Sequence, residues 1–255
     1  MTGIVIVTYN RPDLLPLQMD AIRLFCKDEH EVVVIDNSTN EESSELIALI
    51  AANNRMYRTS SSSRNSSDSH AFACNFAFIK LRNDYEHFLF IDHDIFPTKP
   101  FSVIEILCDR FLGGLGQVKH KTYLWPGFVF WRNDKIESLD FSTSPGLDTG
   151  GNTWREVERI GIDGVAWQSE VYHENPYFKE PPYNFYSVIG DGWMHFINSS
   201  GWNPQKGHNE RLDSLKRILN EKINESLASY NSNEQVHEVP AETPVITRGV
   251  LLEGA

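Results

Sequence analysis

The residues with the clearest capacity for chemistry in this 255-residue chain are Asp92 and Asp94, which flank His93 at the end of the apolar run Phe88-Leu89-Phe90-Ile91. Side chains two apart on an extended segment share a face, so the spacing predicts two carboxylates projecting together. Such oxygen donors suit Mg²⁺ or Mn²⁺, hard cations that also bind phosphate oxygens. A metal held there would bridge to a diphosphate and stabilise it as a leaving group. The same triplet is equally the end of many solvated loops, so its meaning depends on the elements that carry it.

Those elements read as a nucleotide-binding plan. Ile4-Val5-Ile6-Val7 is a continuous β-branched run, the pattern of a strand buried on both faces, and it stops at Thr8-Tyr9-Asn10-Arg11-Pro12. Residues 13–26 place Leu14, Leu17, Ala21, Leu24 and Phe25 at helical spacing, and residues 31–35 supply a second buried strand ending at Asp36-Asn37-Ser38. That is the length a right-handed parallel crossover needs. Residues 41–52 predict a helix, the Ser-rich run 59–69 a solvated loop, and residues 70–82 an apolar helix leading to the strand before Asp92. Three strands thus end in polar residues, and open α/β sheets bind ligands beyond the carboxyl ends of their strands. Asp36 has two readings: a hydrogen-bond acceptor for a base or ribose, or the N-cap of the helix that follows.

The second half has a different texture. Residues 101–112 predict a helix, Gly113-Gly114-Leu115-Gly116 a flexible link, and residues 122–132 an aromatic strand. Glycine-bearing stretches follow at 145–151 and 190–195, then a charged amphipathic helix over 209–229 and a tail containing Pro240 and Pro244, with no internal repeat.

Composition narrows the classes. With 23 Lys+Arg against 35 Asp+Glu the net charge is −12, which excludes a generally basic nucleic-acid binder. The three cysteines are odd in number, widely spaced and form no CxxC pair, against a disulfide framework and a structural zinc site. No apolar run is long enough to span a membrane, and Met1-Thr2-Gly3 leads directly into the first strand. The expectation is a soluble cytoplasmic protein.

The segments Ile4 to Pro12, Val32-Val33-Val34-Ile35-Asp36-Asn37-Ser38-Thr39, His70-Ala71-Phe72-Ala73-Cys74-Asn75 and Phe88 to Asp94 resemble, in order and spacing, the nucleotide-sugar half of family 2-like glycosyltransferases. The resemblance covers residues 4 to about 100. It implies the GT-A fold: an α/β, Rossmann-like, mostly parallel central sheet flanked by helices in one domain. Residues 1–100 would form the donor half, 101–208 the acceptor half, and 209–255 a C-terminal helix and tail. The implied activity is metal-dependent transfer of a sugar, a hexose by expectation, from a UDP- or GDP-linked donor to a hydroxyl of a glycan or other acceptor. Mn²⁺ or Mg²⁺ would be the cofactor.

Carried over position by position, the resemblance sets Thr8, Tyr9 and Asn10 beside the base and ribose, Asp36 at the base edge or ribose, and Asn75 near the ribose or diphosphate. Asp92 would lie nearer the ribose or sugar and Asp94 would bind the metal. His93 belongs to the same donor-side turn with its side chain on the opposite face. A third metal ligand from the C-terminal half would be His195 or His208. For a catalytic base, Asp148 in Leu147-Asp148-Thr149-Gly150-Gly151 comes first and Asp191 second. The family's usual Glu-Asp pair is missing there, which leaves inversion or retention open. Trp125, Trp131, Trp154, Trp193 and Trp202 are candidates to stack on sugars, with one or two at the site and the others in the core. Trp125-Pro126-Gly127 is the acceptor-side element expected.

Other classes remain in view. A nucleotidyltransferase usually carries a Gly-rich phosphate loop after its first strand, and Thr8 to Pro12 contains no glycine. A non-catalytic carbohydrate-binding descendant would show a damaged metal motif, and both aspartates are intact.

Overall fold

A computed structural model of the protein describes residues 1–59, 63, 65–199 and 207–234, with side chains as far as Ser229. Trp202 and the tail beyond Glu234 lie outside the described residues.

The first half builds a parallel sheet by crossover connections. Its elements are β1 (Thr2–Thr8), α1 (Leu15–Phe25), β2 (His30–Asp36), α2 (Glu41–Ile50), β3 (Arg55–Arg58), α3 (Ser66–Leu81) and β4 (His87–Asp92). Strand β1 pairs in parallel with β2 and with β4, so Thr8 lies opposite Asp36, and Val7 opposite Asp92. The polar strand ends therefore lie side by side on one edge.

Local chemistry explains the boundaries. A proline sits in the first turn of α1, where its missing N–H costs nothing. Asn40 caps α2 by accepting from the Ser43 N–H, and Asn65 caps α3 by accepting from Ser67. That second cap corrects the reading of 59–69 as loop throughout, since Ser66 to Ser69 are helical.

The second half contributes β5 (Ile95–Pro97), α4 (Val103–Leu107), β6 (Leu112–Val118), β7 (Thr122–Arg132), α5 (Trp154–Ile160), β8 (Val165–Gln168), β9 (Glu170–Glu174), β10 (Phe185–Ile189), β11 (Trp193–His195) and α6 (His208–Glu234). Strands β6, β7 and β8 extend the main sheet to the order β3-β2-β1-β4-β7-β6-β8, while β5-β11-β10-β9 form a smaller antiparallel sheet. The helix expected over 101–112 is only the five residues of α4, and the supposed glycine link is strand β6. Its glycines are required by neighbours rather than by flexibility. A Cβ on Gly113 would come within 2.3 Å of the Phe130 ring, and one on Gly116 within 2.8 Å of Trp167.

Two layers of core cover the main sheet. Val5, Val7, Val33, Phe88, Phe90 and Trp131 face α3, while Ile4, Ile6, Val34, Leu89, Ile91 and Phe128 pack with Leu15, Ile22 and Phe25 of α1. The alternation along each strand is the period of two. A third cluster joins Phe96, Met194 and Phe196 to Leu212, Leu215, Ile218 and Leu219 of α6. Each of those helix side chains contributes about 1.5–3 kcal/mol by leaving water, which holds the small sheet against α6.

Candidate active site

The acidic triplet occupies the turn between β4 and β5. Because His93 and Asp94 are turn residues, the period-two rule ends at Asp92 and the two carboxylates do not share a face. This corrects the sequence expectation. Asp92 points to α3, where its Oδ1 lies 2.7 Å from His70 Nε2. Asp94 turns instead toward β11, with its Oδ1 3.9 Å from His195 Nε2. His93 is buried and folds back on β1, its Nδ1 lying 3.2 Å from the Val7 carbonyl.

The turn is held by α1. Gln18, fully buried, donates from Nε2 to the carbonyls of Asp92 at 2.7 Å and Ile95 at 2.6 Å. From the other side the Phe196 N–H donates to the Asp94 carbonyl at 2.8 Å.

Burial works against both charges of the Asp92–His70 pair, and their mutual attraction prevails. His70 is held well above the ordinary histidine value and Asp92 below the ordinary carboxylate value. Asp92 thus has His70 as its near partner, while Asp94 faces His195 at a longer separation.

Asp94 is 5% exposed, and its carboxylate accepts no hydrogen bond among the described residues. Opposite it, His195 is 8% exposed and its Nδ1 lies 3.2 Å from Glu170 Oε1. Glu170 also accepts from Ser187 Oγ at 2.6 Å and from the Tyr172 hydroxyl at 3.1 Å. Burial alone would lower the His195 pKa, but the hydrogen bond to Glu170 and the charges of Asp94, Glu170 and Asp92 raise it. Burial likewise opposes the Glu170 charge, and the hydrogen bonds from His195 and Ser187 hold its carboxyl below the usual value. The Trp125 ring lies 5.2 Å from the His195 ring, beside the pair.

Among the described residues no three His, Cys, Asp or Glu side chains converge into a ready-made metal cage. Asp94 and His195 nonetheless fit a divalent cation: an oxygen and a nitrogen face each other at a separation too long for a hydrogen bond and short enough to share an ion. Two protein ligands with the rest drawn from water and phosphate is the usual manner of Mg²⁺ binding.

The remaining expected residues fall into distinct places. Thr8 is buried and its hydroxyl has no partner. The Tyr9 hydroxyl lies 3.2 Å from Thr39 Oγ1, and Asn10 Oδ1 accepts the N–H groups of Thr39 and Asn40, so both tie the loop after β1 to the loop after β2. Asp36 has no exposed surface; it accepts from the Ser38 N–H at 2.9 Å and from the Ser44 hydroxyl. Neither sequence reading of Asp36 holds, because its carboxylate is sealed inside and Asn40 is the cap. Asn75 is engaged within the protein: its amide donates to Ser142 Oγ at 3.0 Å and accepts the Phe141 N–H at 2.8 Å.

Asp148 is exposed and accepts from the Ser67 hydroxyl, which sets it at the N-terminal turn of α3 on the carboxyl edge of the sheet. Asp191 is 91% exposed and paired with Lys99 at 2.6 Å. It lies in the turn before Trp193, at the opposite end of β11 from His195. His208 is corrected as well. Its Nε2 lone pair is taken up by Arg11 Nη1 at 2.8 Å, and burial together with the charges of Arg11 and Arg211 lowers its pKa.

Sequence reasoning missed Gln18 and Glu170 as shapers of this site, and it named His70 only as the start of the segment 70–75 without a role. Each acts across the chain, and neither Gln18 nor Glu170 stands in a motif. Among the described tryptophan candidates, Trp131 and Trp193 are buried in the core, Trp154 carries Lys121 4.1 Å from its ring centre, and Trp125 lies beside the Asp94–His195 pair.

A mixed sheet of this order, with an acidic turn at the end of its fourth strand, is an α/β architecture in which a mostly parallel sheet presents that turn at its carboxyl edge. Residues 3–121 match the glycosyl transferase family 2 model, a stretch that includes Asp92 and Asp94. No curated protein sequence matches the chain significantly. Among solved structures, the mannosyltransferase PcManGT from Pyrobaculum calidifontis in complex with GDP-Man and Mn²⁺ is 16% identical with TM-score 0.45, over 65% of this chain and 53% of its own. The chain spans about half the length of that enzyme. The galactosyltransferase LgtC, in complex with donor and acceptor sugar analogs, is 16% identical with TM-score 0.43, over 84% of this chain and 95% of its own. Glucosyl-3-phosphoglycerate synthase from Mycobacterium tuberculosis is 17% identical with TM-score 0.43, over 66% and 68%. Likenesses of this size assign no residue and no substrate. Among the described residues no helix is long and apolar enough to cross a membrane.

Proposed function

We propose that the chain transfers a sugar from a nucleoside diphosphate sugar, UDP- or GDP-linked, to a hydroxyl of a glycan or other acceptor, with Mn²⁺ or Mg²⁺ held by Asp94 and His195. The observation that carries this reading is the pair itself: two buried, metal-competent side chains 3.9 Å apart at the carboxyl edge of a parallel sheet. A divalent cation there would offset the charge of the leaving diphosphate, which an acidic protein otherwise repels.

The chain's own groups do the remaining work. Gln18 and the Phe196 N–H fix the backbone on which Asp94 stands, so the carboxylate is aimed before any ligand arrives. The Asp92–His70 pair locks the start of α3 to the end of β4 and closes the floor beneath the donor. Trp125 offers an apolar face for a sugar ring beside the metal pair. Asp148, the exposed carboxylate on the same rim, is the group proposed to accept the proton of the acceptor hydroxyl in an inverting reaction. In a retaining reaction the leaving phosphate takes that proton and Asp148 is dispensable.

A thermal-shift panel of UDP, GDP, CDP and dTDP with and without Mn²⁺ tests the donor site, because a ligand that binds only the native state raises its melting temperature. The expected result is a shift with UDP or GDP that requires Mn²⁺. A shift of equal size without the metal removes Asp94 and His195 from the donor site.

A further inference from the structure

We infer that Glu170 is a positioning residue for His195, fixing the tautomer in which Nε2 carries the lone pair that faces Asp94; this rests on the donor-site reading above. The small sheet has two unlike faces. Phe96, Val188 and Met194 pack toward α6, while Glu170, Tyr172, Ser187 and His195 share the other face. Ser187 lies opposite both His195 and Tyr172, which places Glu170 on the diagonal to Ser187, within reach of a long side chain.

The hydrogen-bond directions then follow from what each group can donate. An ionised carboxylate only accepts, so the 3.2 Å contact between Glu170 Oε1 and His195 Nδ1 requires the proton on Nδ1. Ser187 Oγ and the Tyr172 hydroxyl donate to Glu170 at 2.6 Å and 3.1 Å, one to each carboxylate oxygen, and so hold its plane. With Nδ1 committed, Nε2 of the neutral ring has a lone pair and points to the Asp94 side. A carboxylate behind a histidine is the arrangement that orients an imidazole and raises its strength as a metal ligand. Glu170 stands at the start of an edge strand whose next four residues are exposed, where no stability argument calls for a half-buried carboxylate against a histidine. Nothing in the local sequence Gln168-Ser169-Glu170-Val171-Tyr172 marks it.

The test measures Mn²⁺ affinity with saturating UDP or GDP, and the ¹⁵N shifts of the His195 ring in the metal-free protein at a pH where the ring is neutral. In the wild type the Nδ1–H tautomer is expected. In Glu170→Ala the tautomer is expected to become mixed and Mn²⁺ affinity to fall about 10–100-fold, the usual effect of removing such a partner. Unchanged affinity and an unchanged tautomer in a folded E170A overturn the inference. His195→Ala separates the two levels: if E170A and H195A both match the wild type, the donor-site reading fails; if only H195A loses the metal, the role of Glu170 alone fails. Where E170A does not fold, Glu170→Gln carries the test. Several-fold weaker Mn²⁺ binding supports the inference, and wild-type binding overturns it.

Discussion

Arg11 and His208, 197 positions apart, meet with Arg11 Nη1 donating to His208 Nε2 at 2.8 Å. Arginine only donates, so the histidine accepts and is neutral. The contact pins the start of α6 to the loop after β1. Asp13 strengthens the junction by accepting from Arg11 at 2.8 Å and 2.6 Å and from Lys216 at 2.9 Å.

This junction should be acid-sensitive. Burial and then the charges of Arg11 and Arg211 depress the folded-state pKa of His208, with only Asp13 acting the other way. The unfolded chain binds the proton more readily, so this contribution is complete above about pH 6.5 and falls as the pH drops below it. His70 and His195, with raised values, act in the opposite sense. The informative quantity is therefore the difference in melting temperature between wild type and His208→Gln at pH 7.5 and 5.5. The loss on acidification should be smaller in the variant, and equal losses would count against the assignment.

Asp92 and Asp94 should separate under mutation. Asp94→Asn is expected to weaken Mn²⁺-dependent binding of the nucleoside diphosphate on the order of 100-fold with little change in melting temperature. Asp92→Asn removes one partner of the pair with His70 and should cost about 3 kcal/mol in denaturant unfolding, the lower end for a buried ion pair that loses one partner.

Gln18→Ala leaves the carbonyls of Asp92 and Ile95 without their donor. Two unsatisfied acceptors should cost about 2–3 kcal/mol. Urea unfolding measures the loss, and the same variant should bind Mn²⁺ more weakly because Asp94 loses its support.

Cys108 has φ 51° and ψ −112°, and the Arg110 N–H reaches the Leu107 carbonyl at 2.8 Å. This is a type II′ turn with cysteine at the position that favours glycine. Cys108→Gly should therefore stabilise the protein by about 1 kcal/mol, read as a higher midpoint in urea.

Asp148→Asn should lower kcat far more than it weakens donor binding if Asp148 accepts the acceptor proton. Equal losses in both would reassign it to binding, and an unchanged kcat would favour the retaining course.

The donor-side plan was legible because its signals are local. A buried parallel strand needs a continuous apolar run, and that requirement is visible in Ile4 to Val7, Val32 to Ile35 and Phe88 to Ile91. The same runs end in Thr8, Asp36 and Asp92, and the pairing puts Thr8 opposite Asp36 and Val7 opposite Asp92, so the three ends lie on one edge. The small sheet was not legible. Strands β9, β10 and β11 are short, β9 is separated from β10 by a long connection, and pairing between short strands is decided by what they pack against.

The sequence by itself determined the parallel half of the sheet, the acidic turn at its edge and the glycosyltransferase class they resemble, because strand burial and turn chemistry act within a few residues. Only the tertiary structure decided how that turn is used. It sent Asp92 to His70 and Asp94 to His195, sealed Asp36 in the interior, gave His208 to Arg11 and set Glu170 behind His195. The direction of a side chain that leaves a turn is set by the partner waiting in space, and those partners come from strands and helices far along the chain.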